Sequence, residues 1–180
     1  MQTLITNIGQ LVTVNTNGKN IKTGKDMNDL GIIEDAAVYI EDDIIKWIGK
    51  NSDFNIELQE DANTLDATKY VVMPGFVDCH THLLYLNGRE NEFAMRAKGN
   101  TYQEIAEAGG GILSTVKDTR LSDKRQLKKS TDKRLDEILS MGTTTVEIKS
   151  GYGLNSKNEI KMLEAINELN DENPIDVIPT

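Results

Sequence analysis

The chain contains few of the residues that build disulfides, membrane spans or nucleic-acid surfaces. It has 180 residues and a single cysteine, Cys79, so a disulfide within the chain is excluded. No apolar run is long enough to cross a bilayer, and polar residues interrupt the apolar ones after Met1, so a secretory leader is not indicated. The net charge is -9, and lysine and arginine form no continuous patch. We therefore expect no nucleic-acid or membrane partner and predict a cytoplasmic protein.

The residues that are present are those of a folded domain. Apolar residues make up 38% of the chain and charged residues 27%, which is typical of globular proteins and not of disordered ones. A chain of this length can bury an ordinary hydrophobic core.

The first 73 residues are rich in short β-prone segments and poor in helical signals. Residues 4–14 predict a strand, and residues 36–40 and 44–48 predict a hairpin that turns at Asp42 and Asp43. Residues 64–66 and 70–73 add short extended pieces. We therefore predict a small, antiparallel β-sandwich unit over residues 1–73.

From residue 74 onward, strand and helix signals alternate. Strands are predicted at 76–80, at 143–149 and from 176, the first of them buried with Cys79 packed in the interior. Helices are predicted over 101–108 and 122–141, and a third from Ser156, with Ile160, Leu163, Ile166 and Leu169 as its buried stripe. Thr101 with Glu104, and Ser156 with Glu159, have the spacing of capping boxes.

This alternation is the pattern of parallel βα units. A complete (β/α)8 barrel takes about 250 residues, whereas residues 74–180 hold about two units and the start of a third. We therefore predict an α/β fold in which the β unit is followed by the first βα units of a truncated (β/α)8 barrel. A small doubly wound domain of three parallel strands is the alternative.

The only two histidines of the chain, His80 and His82, end an apolar stretch. Because alternate side chains of a strand share a face, both imidazoles and Asp78 are expected on one side. Two neutral imidazoles aimed at one point are half of a metal site. A buried, hydrogen-bonded histidine pair is the alternative. Asp78 would orient one histidine or bind amides at the strand end.

Four segments, in order along the chain, resemble those of a known enzyme family. Residues 74–82, PGFVDCHTH, are similar to the first-strand signature of the amidohydrolase superfamily. Residues 89–93 (RENEF), 109–120 (GGGILSTVKDTR) and 142–154 (GTTTVEIKSGYGL) resemble the imidazolonepropionases. The resemblance runs from near residue 1 to Thr180.

The resemblance implies hydrolysis of 4-imidazolone-5-propanoate to N-formimidoyl-L-glutamate in histidine degradation, with one divalent metal ion, zinc or iron. It implies that His80 and His82 are metal ligands and that Arg89 and Tyr152 bind the substrate. A guanidinium group binds a carboxylate in a bidentate manner, which suits Arg89 to the propanoate. The alternatives are an exposed Arg89 that pairs with a neighbouring glutamate and a Tyr152 that covers a turn.

The resemblance also implies that the remaining metal ligands and the general base, a histidine and an acidic residue on later strands, lie outside this chain. No catalytic residue is therefore assigned here, and we expect the 180 residues alone to be inactive. The expected partner is the small-molecule substrate, and a homodimer is a further expectation. Two alternatives stay open: another cyclic-amide hydrolase or deaminase of the superfamily, and a non-catalytic remnant that acts as a binding or assembly module.

Two other features have two interpretations each. Glu147 and Lys149 share a face of one strand, where they would act in the site or form a structural ion pair. The glycines 109–111 would form a mobile lid or end a helix in a flexible loop.

Overall fold

Two units make up the chain in the computed structural model, which describes residues 1–180. The units are Met1–Pro74 and Gly75–Thr180. The first contains five strands: β1 Gln2–Val12, β2 Ile32–Glu41, β3 Ile44–Lys50, β4 Asn63–Asp66 and β5 Val71–Val72.

The five strands form one mixed sheet in the order β3-β2-β1-β4, and β5 also pairs with β1. The predicted hairpin is confirmed as β2 and β3, which pair antiparallel. Its two-residue turn, Asp42 and Asp43, has φ angles of 47° and 67°, which is the backbone of a type I′ turn. β4 and β5 run parallel to β1. The prediction of a purely antiparallel unit is therefore wrong.

Both faces of this sheet are covered by apolar side chains. Neighbouring residues of β2 point to opposite faces, and Ala36 and Ala37 are each fully buried in a different cluster. Ile8 lies in the first cluster, and Tyr39 in the second packs against Phe54. Alternate side chains of β2 therefore pack into two small hydrophobic cores, one on each face of the sheet.

The second unit repeats strand and helix. Its elements are β6 Phe76–Thr81, α1 Glu90–Ala97, α2 Tyr102–Glu107, α3 Ile112–Leu121, α4 Lys124–Ser140, β7 Thr143–Ile148, α5 Ser156–Glu172 and β8 Asp176–Pro179. The strands lie in sequence order, β6-β7-β8, and each pair is parallel. These are the predicted βα units.

The capping box predicted for the helix over 101–108 is confirmed at the start of α2. The Thr101 hydroxyl accepts a bond from the Glu104 amide at 3.3 Å, and the Glu104 carboxylate accepts one from the Thr101 amide at 2.7 Å. The glycines 109–111 do end this helix. Gly111, with φ of 79°, directly precedes α3 and donates its amide to the buried Glu92 at 2.6 Å.

Helices α1 and α3 were not predicted. α1 begins at Arg89 without any side-chain cap, and α3 begins directly after a run of glycines that is typical of a loop. Neither start carries a capping pattern like that of Thr101 and Glu104.

The core of the second unit lies between α4, α5 and the strands β7 and β8. Leu127, Val146 and Ile166 are fully buried there. The predicted stripe of α5 is partly wrong, because Ile160 is 55% exposed while Met162 and Ala165 are fully buried.

The prediction that residues 76–80 form a buried strand is wrong. Phe76 is 54% exposed, Val77 is 67% exposed, and Cys79 is an exposed thiol and is not packed. β6 is an edge strand that pairs only with β7, and α4 and α5 pack on β7 and β8. An apolar sequence shows that a strand can be buried, but the strand becomes buried only where another helix or strand packs against it. No helix combines the length and apolar character of a membrane span.

Replacing Ile166 by alanine tests this core. Ile166 is fully buried whereas Ile160, on the same helix, is 55% exposed. We expect Ile166→Ala to lower the free energy of unfolding by about 2–5 kcal/mol, because it leaves a cavity. Ile160→Ala should change it by less than about 0.5 kcal/mol. Urea unfolding followed by circular dichroism at 222 nm measures both, and equal losses would contradict this core.

Candidate functional site

The carboxyl ends of β6 and β7 lie side by side at one edge of the sheet. Thr81, the last residue of β6, accepts a hydrogen bond at its carbonyl from the Lys149 amide, just past the end of β7, at 2.9 Å. The loops that leave parallel strands at this edge form the binding sites of βα folds. Both predicted pairs of site residues lie on these two strand ends or the loops that follow.

The two imidazoles are adjacent. The ring centroids of His80 and His82 are 5.5 Å apart, with planes at 76°. His80 is exposed and His82 is half-buried. The Nδ1 atom of His82 is buried and has no hydrogen-bond partner. This arrangement is not the buried, hydrogen-bonded pair that was the alternative to a metal site.

Asp78 binds the backbone instead of an imidazole. Its carboxylate accepts a bond from the His80 amide at 3.3 Å, as in the second of its two interpretations. The pairing of β6 with β7 shifts register between Asp78 and Thr81. Strict alternation therefore fails here, and the argument that placed Asp78 on the histidine face loses its basis.

Glu147 connects the three strands of the sheet. Its carboxylate accepts a bond from the Thr81 amide of β6 at 3.2 Å and another from the hydroxyl of Thr180, just after β8. Lys149 Nζ lies 3.5 Å from the same carboxylate. The Thr180 hydroxyl bond outweighs the effect of burial and lowers the pKa of Glu147. These contacts favour the structural interpretation of the pair.

Arg89 and Tyr152 line one cleft, as expected of two residues that bind one ligand. The cleft has a volume of about 310 Å³, and its walls are Tyr85, Asn87, Gly88, Arg89, Thr115 and Tyr152. The ring of Tyr152 lies 5.6 Å from the ring of His82, so the cleft adjoins the histidine pair. Arg89 is exposed and forms no ion pair with Glu90 or Glu92.

The loop that leads from β6 to Arg89 is held by α4. Arg134 donates to the carbonyls of Leu83 at 3.1 Å and Tyr85 at 3.0 Å, and its guanidinium carbon lies 3.6 Å from the centre of the Tyr85 ring. The Ser130 hydroxyl donates to the Leu86 carbonyl at 3.2 Å. Sequence reasoning missed Tyr85 and Arg134, since their contact joins positions far apart in the chain.

The loop that carries Tyr152 passes close to His82. Gly151 has φ of 135°, and a Cβ atom there would lie 3.3 Å from Cε1 of His82. The ring of Tyr152 also lies 6.2 Å from the ring of Tyr85 at a steep angle. Glycine at 151 therefore permits the close approach of loop and imidazole.

The capping box predicted at Ser156 and Glu159 is wrong. The N-cap of α5 is Asn155, whose side chain accepts a bond from the Asn158 amide at 3.0 Å. Glu159 turns to the preceding loop, where its carboxylate accepts bonds from the amides of Gly151 at 2.7 Å and Leu154 at 2.6 Å. Spacing alone did not distinguish a cap from a loop contact.

The pKa of Glu159 reflects these bonds. Burial raises the pKa, but hydrogen bonds from the Ser150 side chain and from the amides of Leu154, Gly151 and Gly153 lower it by more. The net pKa lies below that of an ordinary glutamate, so the group is a carboxylate at neutral pH.

The donor set at the strand edge fits part of a metal site. Imidazole nitrogen is a common ligand of zinc and iron, and His80 and His82 provide two such groups. No group of three or more histidine, cysteine, aspartate or glutamate side chains is arranged to hold a metal ion. A catalytic zinc usually has three protein ligands, so the two imidazoles alone would not complete such a site.

Replacing Gly151 by alanine tests the contact between the loop and His82. The new Cβ would meet the imidazole and require a backbone conformation that alanine rarely adopts, so we expect a loss of about 1–3 kcal/mol in unfolding free energy and a shift of the His82 ring resonances. Gly109→Ala is the control, because Gly109 has φ of 85° and open space around it. A His82 spectrum that responds equally to both substitutions would contradict the contact.

Comparison with known proteins shows sequence relatives along the whole chain. The chain is 46% identical over 178 residues to an imidazolonepropionase of Alkaliphilus oremlandii, covering 98% of this chain and 42% of that protein. It is 44% identical over 179 residues to the Geobacillus sp. imidazolonepropionase, with the same coverage. No family model matches. The chain thus spans about two fifths of the length of these relatives.

Solved structures show the same fold. Escherichia coli guanine deaminase superposes with a TM-score of 0.66 at 16% identity, and a triazine hydrolase from Arthobacter aurescens with 0.65 at 19%. Each match covers 99% of this chain and 35% of the other. The order of parts is the predicted one: a small β unit is followed by parallel βα units. In sequence, the chain is similar to imidazolonepropionases, of whose length it spans about two fifths.

Proposed function

We propose that this chain supplies two metal ligands and the substrate-binding cleft of an imidazolonepropionase, which hydrolyses 4-imidazolone-5-propanoate to N-formimidoyl-L-glutamate. The observation that supports this proposal best is the single cleft that Arg89 and Tyr152 line beside His82. These residues come from two different loops, and the resemblance had assigned them to one ligand. A cytoplasmic location and a homodimer stay predictions.

Arg89 is suited to anchor the propanoate. Its guanidinium is exposed, and no carboxylate among these 180 residues forms an ion pair with it. A guanidinium and a carboxylate form two parallel hydrogen bonds, which fix the orientation of the ligand as well as its affinity. The propanoate arm held at Arg89 leaves the ring of the substrate to face the remaining walls of the cleft.

Tyr152 is suited to contact the ring. It lies between His82, 5.6 Å away, and Tyr85, 6.2 Å away, measured between ring centroids. A planar ring packs well against an aromatic side chain. The stacking would hold the imidazolone between the arginine anchor and the histidine pair.

His80 and His82 would hold the zinc or iron ion, together with donors that this chain does not provide. A bound ion of this kind polarises a carbonyl group and lowers the pKa of a bound water. The reaction adds water across the ring amide: the carbonyl carbon gains a hydroxyl, the C–N bond breaks, and the ring nitrogen gains a proton. A general base must take the proton from water, and none is assigned among these residues. We therefore expect the 180-residue chain alone to be inactive.

Two other functions remain as alternatives. A deaminase or another cyclic-amide hydrolase would not need an arginine in the cleft, and Arg89 favours a substrate that carries a carboxylate. A non-catalytic binding module would use the open edges of β6 and β8. Binding of a carboxylate-bearing imidazole in the cleft favours the proposed enzyme over both.

Replacing Arg89 by methionine tests the anchor. The probe is imidazole-4-propanoate, titrated into the labelled 180-residue chain and followed by nuclear magnetic resonance. We expect Arg89→Met to raise the dissociation constant about 10- to 100-fold, because it removes charge-assisted hydrogen bonds. Arg125→Met, an exposed arginine on α4, is the control with no expected change. An affinity that is insensitive to Arg89 would remove its assigned role.

Replacing His82 by asparagine tests the metal donors. Zinc is titrated into the chain in competition with a zinc-sensitive dye. We expect His82→Asn to weaken binding at least about tenfold, because one of only two imidazoles is lost. Cys79→Ser is the control, since Cys79 is the exposed thiol next to His80. If Cys79→Ser weakens zinc binding and His82→Asn does not, the ion is held by the thiol and the proposed donor pair is wrong.

A further inference from the structure

The loop between β7 and α5, residues 150–154, is held from one side by a single carboxylate. Glu159 accepts the amides of Gly151 at 2.7 Å and Leu154 at 2.6 Å, one on each side of Tyr152. The two carboxylate oxygens are used separately, Oε2 for Gly151 and Oε1 for Leu154. One charged group therefore spans the loop that carries the tyrosine of the cleft.

The same loop is held from the other side by α3. Arg120, near the end of α3, donates from Nε to the Gly153 carbonyl at 2.6 Å. The end of α3 is itself fixed by Lys161 of α5, which donates to the carbonyls of Thr119 and Ser122 at 2.8 Å each. Backbone amides and a backbone carbonyl of the loop therefore both form hydrogen bonds with charged side chains.

The glycines on either side of Tyr152 allow these close contacts. A Cβ atom at Gly153 would lie 2.5 Å from the Glu159 amide nitrogen, and one at Gly151 would lie 3.3 Å from His82. The loop therefore touches the start of α5 on one side of Tyr152 and the imidazole on the other.

Glu159 does not cap its own helix. Asn155 caps α5, so the carboxylate is left for the loop. Glu159 is also ionised at neutral pH, since the loop bonds lower its pKa more than burial raises it. Hydrogen bonds to a charged acceptor are about twice as strong as neutral ones.

We propose that Glu159 is a positioning residue: by binding the amides on both sides of Tyr152, with Arg120 on the opposite side, it holds the tyrosine ring against His82 and the cleft. This inference rests on the proposed function, in which Tyr152 contacts the substrate ring. Glu159 itself touches neither the cleft nor the histidines.

The experiment compares Glu159→Gln with Glu164→Gln in the labelled 180-residue chain, without ligand. Glu164 lies on the same helix, where it forms an exposed ion pair with Lys124 at 3.2 Å. Amide hydrogen exchange is measured at Gly151 and Leu154, and the nuclear Overhauser effect is measured between the rings of Tyr152 and His82. If Glu159→Gln does not fold, the same measurements are made on Glu159→Asp. This variant keeps the charge, but its side chain is too short to reach both amides.

In Glu159→Gln we expect exchange at Gly151 and Leu154 to become about tenfold faster, because the charged acceptor is lost. The signal between the two rings should fall, while exchange at Met162 and Ile166 in the core of α5 stays unchanged. A role in global stability alone would accelerate all four amides together and would overturn the inference. An unchanged ring signal, or loop exchange equal to that of Glu164→Gln, would overturn it as well.

The dissociation constant of imidazole-4-propanoate then connects position to function. We expect Glu159→Gln to raise it at temperatures well below the unfolding transition. If the unmodified chain binds no imidazole-4-propanoate, the proposed function fails, and the ligand-free ring signal still decides whether Glu159 positions Tyr152.

Discussion

The parallel pairing of β6 with β7 is the constraint on which the rest of the site depends. It places the carboxyl ends of the two strands at one edge, with the Lys149 amide bonded to the Thr81 carbonyl. His82 and Tyr152 then come within 5.6 Å although they are far apart in the chain. Glu147 ties the same edge to Thr180 after β8. Without this register, Tyr152 would not lie beside His82, and the loops that carry Arg89 and Tyr152 would not line one cleft.

Charged side chains hold the two loops of the site in addition to the apolar packing of Leu84 and Tyr152 on the core. Arg134 binds the carbonyls of the loop before Arg89, and Glu159 binds the amides of the loop around Tyr152. Loops expose backbone groups that need partners, and a charged partner forms stronger and better-oriented bonds than a neutral one. The core between α4, α5, β7 and β8 supplies the rigid base from which these charges extend.

Local patterns in the sequence were sufficient for several elements. The Asp42–Asp43 turn and the capping box of Thr101 and Glu104 both depend on a few neighbouring residues, and both are present. α1 and α3 lack such local signals and were missed. The exposure of β6 was also missed, because the apolar character of Phe76 and Val77 does not say whether another element covers them. Glu159 was assigned to a cap from its spacing, while its partners in the folded chain are loop amides.

By itself, the sequence determined the alternation of strands and helices from residue 74 onward, apart from α1 and α3, and it carries the resemblance to imidazolonepropionases. It also identified His80, His82, Arg89 and Tyr152 as candidate site residues. The alternation and the histidine pair follow from residue types and spacing within short segments, whereas the roles of Arg89 and Tyr152 follow from the resemblance. Only the tertiary structure decided that Arg89 and Tyr152 share one cleft, that Asp78 binds an amide, and that Glu159 and Arg134 hold the loops. Such contacts join residues distant in the chain, and their geometry depends on strand register and helix packing, which no short segment specifies.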